Sequence, residues 1–333
     1  MLPLLVLMTV DLAPETPGVE YRQPQLAAQG DLVAVAFGSG NTVRFAGSRD
    51  GGRTFSRPVI VAEVEKLALG RHRGPRVALA GDSIVIAAIS GGELLSWRST
   101  DSGRTWARAV RVNDVPTSAR EGLHALAAGR GIVYTAWLDL RTKGMKLFGA
   151  ASRDGGRTWS KNRLLYESPD GHICECCHPS VEIGDDGRIY AMWRNWLGGN
   201  RDMYLAISTD GGESFREQKL GKGSWPLKAC PMDGGGLAVA GSEVTTVWRR
   251  EQTVYKARAG AAEEKLGLGR DAAIAMAGGK TYIAWSSAQG LQFRAGGSKP
   301  FTRPGAFVDL ATAGDKVVAA WEHDGRITLE VLP

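Results

Sequence analysis

Short apolar runs, each preceded by a glycine-containing turn, recur along most of the chain. Seven of them are rich in Ala, Val, Ile and aromatic residues and cover residues 33–37, 84–88, 133–137, 189–193, 244–248, 281–285 and 317–321. Another apolar run lies ahead of each turn, as in Leu79-Ala-Gly-Asp-Ser83. Runs of this length and composition are typical of buried β-strands, and no segment has a helical period. The pattern predicts an all-β chain in which these runs are the second strands of seven units.

A second repeat lies between these runs. The eight residues from Ser48, with the sequence SRDGGRTF, recur as STDSGRTW from Ser99, SRDGGRTW from Ser152 and STDGGESF from Ser208. Their starts lie 51, 53 and 56 residues apart. In such a segment Asp accepts backbone hydrogen bonds, Gly supplies a positive φ and the aromatic residue packs into the sheet, which indicates a hairpin turn. This period predicts a β-propeller of four-stranded antiparallel blades.

The S-x-D-x-G-x-T-W pattern resembles the Asp box, or BNR repeat, and the chain is similar to the sialidase-like (neuraminidase) superfamily of propellers. Active members of that superfamily resemble six-bladed propellers, whereas the seven second-strand runs favour seven blades, with six as the alternative. No outer strand follows for the last blade before Pro333. We therefore expect an apolar segment over residues 1–17, either a signal remnant or a closing strand, and one propeller domain over residues 18–333.

Charge and hydropathy restrict the partners. The 333 residues carry a net charge of +6, spread along the chain without a long Lys/Arg run. Nucleic-acid binding usually needs a clustered basic patch, so we expect no nucleic-acid partner. Residues 1–10 are almost all apolar but too few to cross a bilayer, which takes about 20 residues, and we expect no integral membrane segment. Because this start resembles the apolar part of a signal peptide, we expect an extracytoplasmic (periplasmic or secreted) protein.

Propeller topology predicts which loops share a face. The entries into first strands and the turns after second strands lie on the face opposite the Asp boxes, and functional residues are expected in these loops. The entries contain Arg22, Arg73, Arg76, Glu121, His124, Cys174, Cys176, Cys177, His178, Cys230, Met232, Arg270 and Asp271. The turns contain Asp139, Arg141, Arg194, Asn195, Arg249 and Arg250. We expect an Arg-rich ligand face.

The four cysteines fall in two neighbouring loops of that face, so we expect them to meet. Three interpretations stay open. Disulfides would join the blades, as in exported proteins with an even cysteine count. Alternatively, a metal site would hold copper, or zinc without the methionine, and the remaining interpretation is a free reactive thiol. The candidate metal ligands are Cys174, Cys176, Cys177, His178, Cys230 and Met232.

The resemblance to sialidases implies three arginines that hold a carboxylate, a Tyr nucleophile activated by Glu, and an acid/base Asp. The segment Tyr21-Arg22-Gln23-Pro24 is similar to the family's Phe-Arg-Ile-Pro motif, so Arg22 is the first arginine that the resemblance implies. The other residues that the resemblance suggests are Arg194 and Arg249 or Arg250 as further clamps, Tyr255 or Tyr282 as the nucleophile, and Glu121 as its partner.

These observations predict an exported sialidase-like propeller whose Arg-rich face binds or hydrolyses an acidic glycan, or holds another small-molecule ligand. The alternative is a metal-binding or redox protein that uses the Cys/His cluster with copper or zinc and has no glycosidase activity. A third interpretation is a propeller that binds a protein partner on this face.

Overall fold

The computed structural model describes residues 9–295 and 299–333, and every regular element within them is a β-strand. The 28 strands form seven antiparallel sheets of four strands, which are the blades of a propeller. The seven-bladed all-β prediction is confirmed, and the six-bladed alternative is wrong. The strands of the first four blades are β2 (Arg22–Gln29), β3 (Leu32–Ser39), β4 (Thr42–Ser48), β5 (Val59–Glu63); β6 (Arg76–Ala80), β7 (Ser83–Ser90), β8 (Glu93–Ser99), β9 (Val110–Arg111); β10 (His124–Gly129), β11 (Ile132–Asp139), β12 (Lys146–Ser152), β13 (Arg163–Tyr166); and β14 (Ser180–Ile183), β15 (Ile189–Arg194), β16 (Met203–Ser208), β17 (Arg216–Lys219).

The remaining blades follow in chain order, except that the last one takes its outer strand from the other end of the chain. Their strands are β18 (Gly236–Ala240), β19 (Glu243–Arg250), β20 (Thr253–Arg258), β21 (Glu264–Leu268); β22 (Arg270–Ala277), β23 (Lys280–Ser287), β24 (Gly290–Ala295), β25 (Phe301–Arg303); and β26 (Ala306–Ala313), β27 (Lys316–His323), β28 (Arg326–Val331), β1 (Thr9–Leu12).

The ring closes in this seventh blade. β1 pairs antiparallel with β28, which places Thr9 opposite Glu330 and Leu12 opposite Ile327. Thr328 Oγ1 donates a hydrogen bond of 2.7 Å to Asp11 Oδ1, and the Leu12 side chain is buried. The two chain ends thus hold one sheet together. Residues 1–8, most of the apolar start, lie outside the described residues, and export stays a prediction.

The seven predicted second strands are β3, β7, β11, β15, β19, β23 and β27, and each contains its apolar run. β3, β7, β11 and β15 are buried along almost their whole length, and β19, β23 and β27 are buried over their central residues. A second strand has strands on both edges and neighbouring blades on both faces, so its side chains are buried on both sides. Trp137, Trp193 and Trp321 are each at most 2% exposed and fill the space between blades. This burial explains why the runs are continuously apolar.

Each Asp box is the turn between the third and fourth strands of its blade. In the second blade, Ser99 Oγ donates to Asp101 Oδ1 at 2.8 Å, and the N–H and hydroxyl of Thr105 donate to Asp101 at 2.9 and 2.6 Å. The same bonds recur in the other three boxes. The bonds from Thr105 and Ser99 lower the pKa of the Asp101 carboxyl to about 2. The box is therefore a structural turn.

The glycine at the fifth position of each box also lets adjacent blades approach. Gly156 has a φ of +86°, and a Cβ at this position would come within 2.7 Å of Val85 Cγ2 in the preceding blade. Gly52 would meet Val318 of the seventh blade at the same distance. Only glycine tolerates both the left-handed backbone and the close approach.

The two faces of the ring carry different loops. The Asp boxes and the first-to-second turns share one face, where the Gly51 N–H donates to the Asp31 carbonyl at 2.9 Å. The entries into first strands and the second-to-third turns form the other face, which we call the blade-entry face. Within residues 9–295 and 299–333, no helix is long and apolar enough to cross a membrane.

Candidate functional site

A cavity of about 530 Å³ runs along the propeller axis from the blade-entry ends of the first strands, here called its mouth, to their turn ends on the Asp-box face. We call it the axial funnel. The seven first strands line it, and many of the lining residues are Ala, Val, Leu or Ile. Polar groups nevertheless form the larger part of its accessible surface. The mouth is lined by Gln23, His72, His178, Asp271 and Phe307, and Arg76, Glu182 and Asp309 line the wall further along the strands.

Left-handed backbone positions shape the mouth. Gln23, Asp271 and Phe307 are each the second residue of a first strand, and their φ angles are 56°, 54° and 54°. The pairing of β2, β22 and β26 with the following strands shifts register at these residues, which marks β-bulges. His72 has a φ of 66°. Such backbone is costly for residues other than glycine and concentrates at functional sites, where bulges redirect side chains.

His72 and Asp271 form an ion pair at the mouth. The distance between His72 Nε2 and Asp271 Oδ1 is 2.8 Å, and Arg270 Nε donates to Asp271 Oδ2 at 2.9 Å. Burial opposes ionisation of Asp271, but the bond from His72 and the Arg270 charge outweigh it and lower its pKa. The carboxylate thus orients the His72 ring through its Nε2 atom.

Other rings and a second histidine enclose His72. Its ring stacks on His178 with centroids 4.1 Å apart and meets the Phe307 ring edge-on at 5.4 Å. His178 Nδ1 accepts a 3.3 Å hydrogen bond from the Gly234 N–H, and Nε2 donates to the Gly235 carbonyl at 3.1 Å. Burial and the nearby His72 and Arg76 charges hold the pKa of His178 well below its usual value. His178 is therefore a neutral ring fixed by backbone.

Arg22 lies in a second cavity of about 480 Å³ between the first and seventh blades, which we call the Arg22 groove. Its side chain is 43% exposed, and its Nε lies 3.7 Å from Glu322 Oε2. Glu322 Oε1 accepts from the backbone N–H and Nε2 of Gln23 at 2.6 and 2.8 Å. Gln23 lines the axial funnel but not the groove, so this residue lies between the two cavities.

The other predicted arginines are held by protein groups and line neither cavity. Arg194 is 1% exposed and donates to the carbonyls of Asp233, Arg201 and Arg249 at 3.0, 2.8 and 2.9 Å. Arg249 Nη2 donates to the Pro231 carbonyl at 3.0 Å, and Arg250 Nη1 lies 2.6 Å from Glu263 Oε1. The structure therefore does not bring these three guanidinium groups together with Arg22 around one ligand.

The predicted Tyr–Glu pair is not formed either. Tyr255 lies on β20, where its ring stacks on Trp248 and packs under the Arg250 guanidinium at 4.3 Å. Glu121 lies in another blade, where its carboxylate is 3.8 Å from Arg73 Nη2 and its carbonyl accepts from Arg73 Nε at 2.6 Å. Neither residue lines the funnel. Both side chains are occupied by neighbours in their own part of the blade-entry face.

Three cysteine sulfur atoms converge between the fourth and fifth blades. The Sγ atoms of Cys174, Cys176 and Cys177, here named the thiol cluster, all lie within 4.8 Å of one another. Cys174 Sγ is 3.1 Å from Cys177 Sγ and 3.7 Å from Cys176 Sγ. All four cysteines of the chain are free thiols in the structure, so the anticipated disulfides are not formed there.

Positive groups and N–H donors surround the thiol cluster. Arg201 Nη1 donates to Cys174 Sγ at 3.1 Å, and the Asp233 N–H donates to Cys177 Sγ at 3.4 Å. Hydrogen bonds from Cys176 and Cys177, with the charge of Arg194, hold the pKa of Cys174 well below its usual value. The surroundings of Cys174 therefore favour its thiolate over its thiol.

The other predicted metal ligands lie around the cluster. Cys230 is exposed, and together with Cys174 it raises the pKa of the neighbouring Cys176 thiol. Met232 follows in the same loop and has a φ of 54°, and its carbonyl accepts from Arg270 at 3.4 Å. His178 and Cys230 lie outside the group of three converging sulfur atoms.

A buried carboxylate joins the thiol cluster to the funnel mouth. Asp233 is fully buried, and besides its N–H bond to Cys177 its Oδ2 accepts from the Asp271 N–H at 3.0 Å. Sequence reasoning missed Gln23, His72 and Arg201 as members of these sites. One signal was present: Gln23, Asp271 and Phe307 occupy the same place in three blades, so aligning the repeats would have grouped them.

Comparisons with known proteins agree with this architecture. A model of the BNR repeat-like domain family matches residues 30–240, which include all four Asp boxes. No curated protein matches the sequence. Solved structures with a similar fold include a Hadza microbial sialidase (16% identity, 90% of this chain and 75% of that chain, TM-score 0.53).

Two further structures cover almost the whole of both chains. They are the GH93 α-L-arabinofuranosidase of Fusarium graminearum in complex with arabinobiose (12% identity, 97% of each chain, TM-score 0.56) and the intramolecular trans-sialidase of Ruminococcus gnavus in complex with oseltamivir carboxylate (11% identity, 94% of each chain, TM-score 0.54). At these identities the likeness shows a shared fold. The chain therefore belongs to the BNR repeat-like domain family and has the fold of a sialidase-like Asp-box propeller.

Proposed function

We propose that the chain is a glycan-binding propeller whose ligand lies across the mouth of the axial funnel and the adjoining Arg22 groove. The observation that carries this proposal is the His72–Asp271 pair, 2.8 Å apart, at the mouth of an open cavity. A buried carboxylate that orients an imidazole beside a cavity is typical of a ligand or catalytic site. The left-handed backbone at both residues supports the same interpretation.

The lining chemistry favours a sugar with an acidic group. The second ring nitrogen of His72 offers a hydrogen-bonding group for a sugar hydroxyl, and the Phe307 ring beside it offers an apolar surface. Arg22 keeps a half-exposed guanidinium in the groove, and guanidinium groups bind carboxylates through paired N–H donors. Because Gln23 lies between the two cavities, the ligand we propose has more than one ring and places its carboxylate at Arg22. The sialidases and the arabinofuranosidase with a similar fold support a glycan as the ligand class.

We propose glycan binding without the sialidase mechanism. That mechanism needs an arginine cluster around one carboxylate and a Tyr nucleophile beside a Glu. Here Arg194 donates to three backbone carbonyls, and Tyr255 packs under Arg250. These contacts keep Arg194 and Tyr255 from the roles that the sialidase mechanism needs, so we assign recognition of the ligand to His72 and Arg22.

Calorimetric titration with a panel of acidic and neutral oligosaccharides tests the proposal. His72→Ala should weaken binding of every ligand by about tenfold, or about 1.4 kcal/mol. Arg22→Ala should weaken only the acidic ligands, and Arg188→Ala on the opposite face should leave the affinities unchanged. Release of dye from fluorogenic sialosides and arabinofuranosides is measured in parallel, and we expect none. Absence of glycan binding would contradict the proposal and favour a protein ligand, whereas turnover of a sialoside would overturn the exclusion of the sialidase mechanism.

The second candidate function is metal binding by the cysteines, and the convergence of three sulfur atoms within 4.8 Å favours it. Metal analysis combined with thiol counting on freshly purified protein is the test. We expect one metal ion per chain, with four titratable thiols after the metal is chelated. Complete oxidation of the cysteines without bound metal would remove this candidate.

A further inference from the structure

We propose that the thiol cluster holds one monovalent copper ion in a three-coordinate thiolate site, and that Cys230 is the exposed thiol through which copper enters and leaves. The inference rests on the second candidate function, metal binding by the cysteines. It adds the identity of the ion, its coordination number and a separate role for the fourth cysteine.

The sulfur geometry supports a single ion bound to three thiolates. A bond of about 2.3 Å from each sulfur to a metal ion places sulfur ligands roughly 4 Å apart. Cys174 Sγ already lies 3.7 Å from Cys176 Sγ and 3.1 Å from Cys177 Sγ. Small movements of the side chains are therefore enough to seat an ion between them.

A fourth ligand of the kind that zinc requires is not part of the group. Structural zinc sites are almost always tetrahedral. Among the residues that the structure describes, the converging group contains three thiols, while both ring nitrogens of His178 are bonded to backbone. Asp233 accepts from the Asp271 N–H through Oδ2 and does not belong to the converging group. Three soft thiolates without a further ligand suit monovalent copper, which is stable with three-fold coordination.

Exposure increases stepwise from the cluster to Cys230. Cys174 and Cys177 are each 1% exposed, Cys176 is half-buried, and Cys230 is exposed beside it. The Cys230 loop is fixed against the cluster by the Asp233 N–H bond to Cys177. Copper therefore reaches the buried sulfur atoms by thiolate exchange, in which one copper–sulfur bond forms as another breaks. The thiols release their protons to solvent on binding, and the copper stays monovalent throughout.

Anaerobic titration of the metal-free full chain with monovalent copper, in competition with a chromophoric copper(I) chelator, tests the inference. The wild type should retain one ion per chain and develop thiolate-to-copper absorption in the ultraviolet. Cys174→Ser and Cys177→Ser should abolish stoichiometric retention. Arg201→Ala, which removes a hydrogen bond to a ligand, should lower the affinity by about 10–100-fold.

Cys230→Ser is the matched variant for the proposed exchange role. It should retain one ion per chain but release it to the chelator about tenfold more slowly, a barrier change of about 1.4 kcal/mol. Tryptophan fluorescence and the thermal midpoint of each metal-free variant show whether it is folded. A folded Cys174→Ser variant that still retains one copper ion per chain would contradict the proposed site.

A parallel titration with zinc separates the failure of this inference from the failure of metal binding. If neither copper nor zinc is retained by the thiols, metal binding itself is wrong. If zinc is retained and Cys230→Ser abolishes its retention, the cysteines bind metal in a four-thiolate site and the three-coordinate copper inference is overturned. Unchanged copper release from Cys230→Ser overturns the role of Cys230.

Discussion

The two faces of the propeller are built from different kinds of interaction. On the Asp-box face, the hydrogen bonds that hold each turn join residues within one eight-residue segment, as between Asp101 and Thr105. On the blade-entry face, the defining bonds join residues far apart in sequence, such as Gln23 with Glu322 and His72 with Asp271. The Asp-box face repeats one locally bonded turn, whereas the blade-entry face joins different residues from distant blades.

The charged groups of the two faces also differ in burial. The Asp-box carboxylates are near solvent and are stabilised as anions by local N–H and O–H donors. On the blade-entry face, Arg194, Asp233 and Asp271 are each at most 8% exposed, so each depends on specific partners. Buried charges are tolerated only when paired or hydrogen-bonded. The blade-entry face therefore carries the desolvation free energy of buried charged groups, whereas the carboxylates of the Asp-box face stay near solvent.

The largest test of this comparison uses one strand whose ends lie on opposite faces. Arg194 ends β15 on the blade-entry face, and Arg188 precedes the strand on the Asp-box face. Arg194→Met should lower the free energy of unfolding by about 3–5 kcal/mol, because three buried carbonyls lose a charged donor. Arg188 is 49% exposed and pairs only with Asp186, so Arg188→Met should cost about 0–1 kcal/mol. Urea unfolding of both variants is the measurement, and equal losses would remove the contrast between the faces.

The second test uses pH. Burial, with the Arg76 charge, lowers the pKa of His124 from 6.5 to about 3. The unfolded chain therefore binds this proton at a higher pH than the fold, and stability falls as pH drops below 6.5. Between pH 6.5 and pH 4 this loss should be on the order of 3 kcal/mol. His124→Gln should flatten the dependence in urea unfolding across this range.

An Asp-box variant supplies the counterpart for the pH test. The pKa of Asp101 is lowered from 3.8 to about 2, so its stabilisation is present above pH 3.8 and is lost as pH falls through about 2. Asp101→Asn should therefore leave the slope between pH 6.5 and pH 4 unchanged. The attribution of this pH dependence to His124 would be wrong if Asp101→Asn changed the slope of stability against pH and His124→Gln left that slope unchanged.

The smallest test compares two glycines. Gly156→Ala should cost about 2–3 kcal/mol, because its Cβ meets Val85 in the next blade and its φ is +86°. Gly131 has a φ of +77° but open space around its Cβ, so Gly131→Ala should cost about 1 kcal/mol from the backbone alone. Thermal midpoints of the two variants give the difference. Equal midpoints would show that the contact between blades contributes nothing.

Much of the fold could be predicted because its signals are local. The apolar runs identified β3, β7 and the other second strands, and the Asp boxes identified the turns between third and fourth strands. Topology also predicted that Cys174, Cys176 and Cys177 share a face with Cys230, and the structure places Cys230 beside Cys176. The roles of the arginines could not be predicted, because the guanidinium of Arg22 is 43% exposed beside Glu322, whereas that of Arg194 is buried and donates to three carbonyls.

By itself, the sequence determined the propeller and favoured the seven blades that the structure shows, because burial patterns and hairpin turns depend on neighbouring residues. Only the tertiary structure decided which polar groups are hydrogen-bonded within the protein and which remain available to a ligand. Asp271 reached His72 across 199 positions, and Arg201 reached Cys174 from another loop, through the closing of the ring. Hydrogen bonds between distant segments depend on that three-dimensional closure, and no spacing along the chain encodes them.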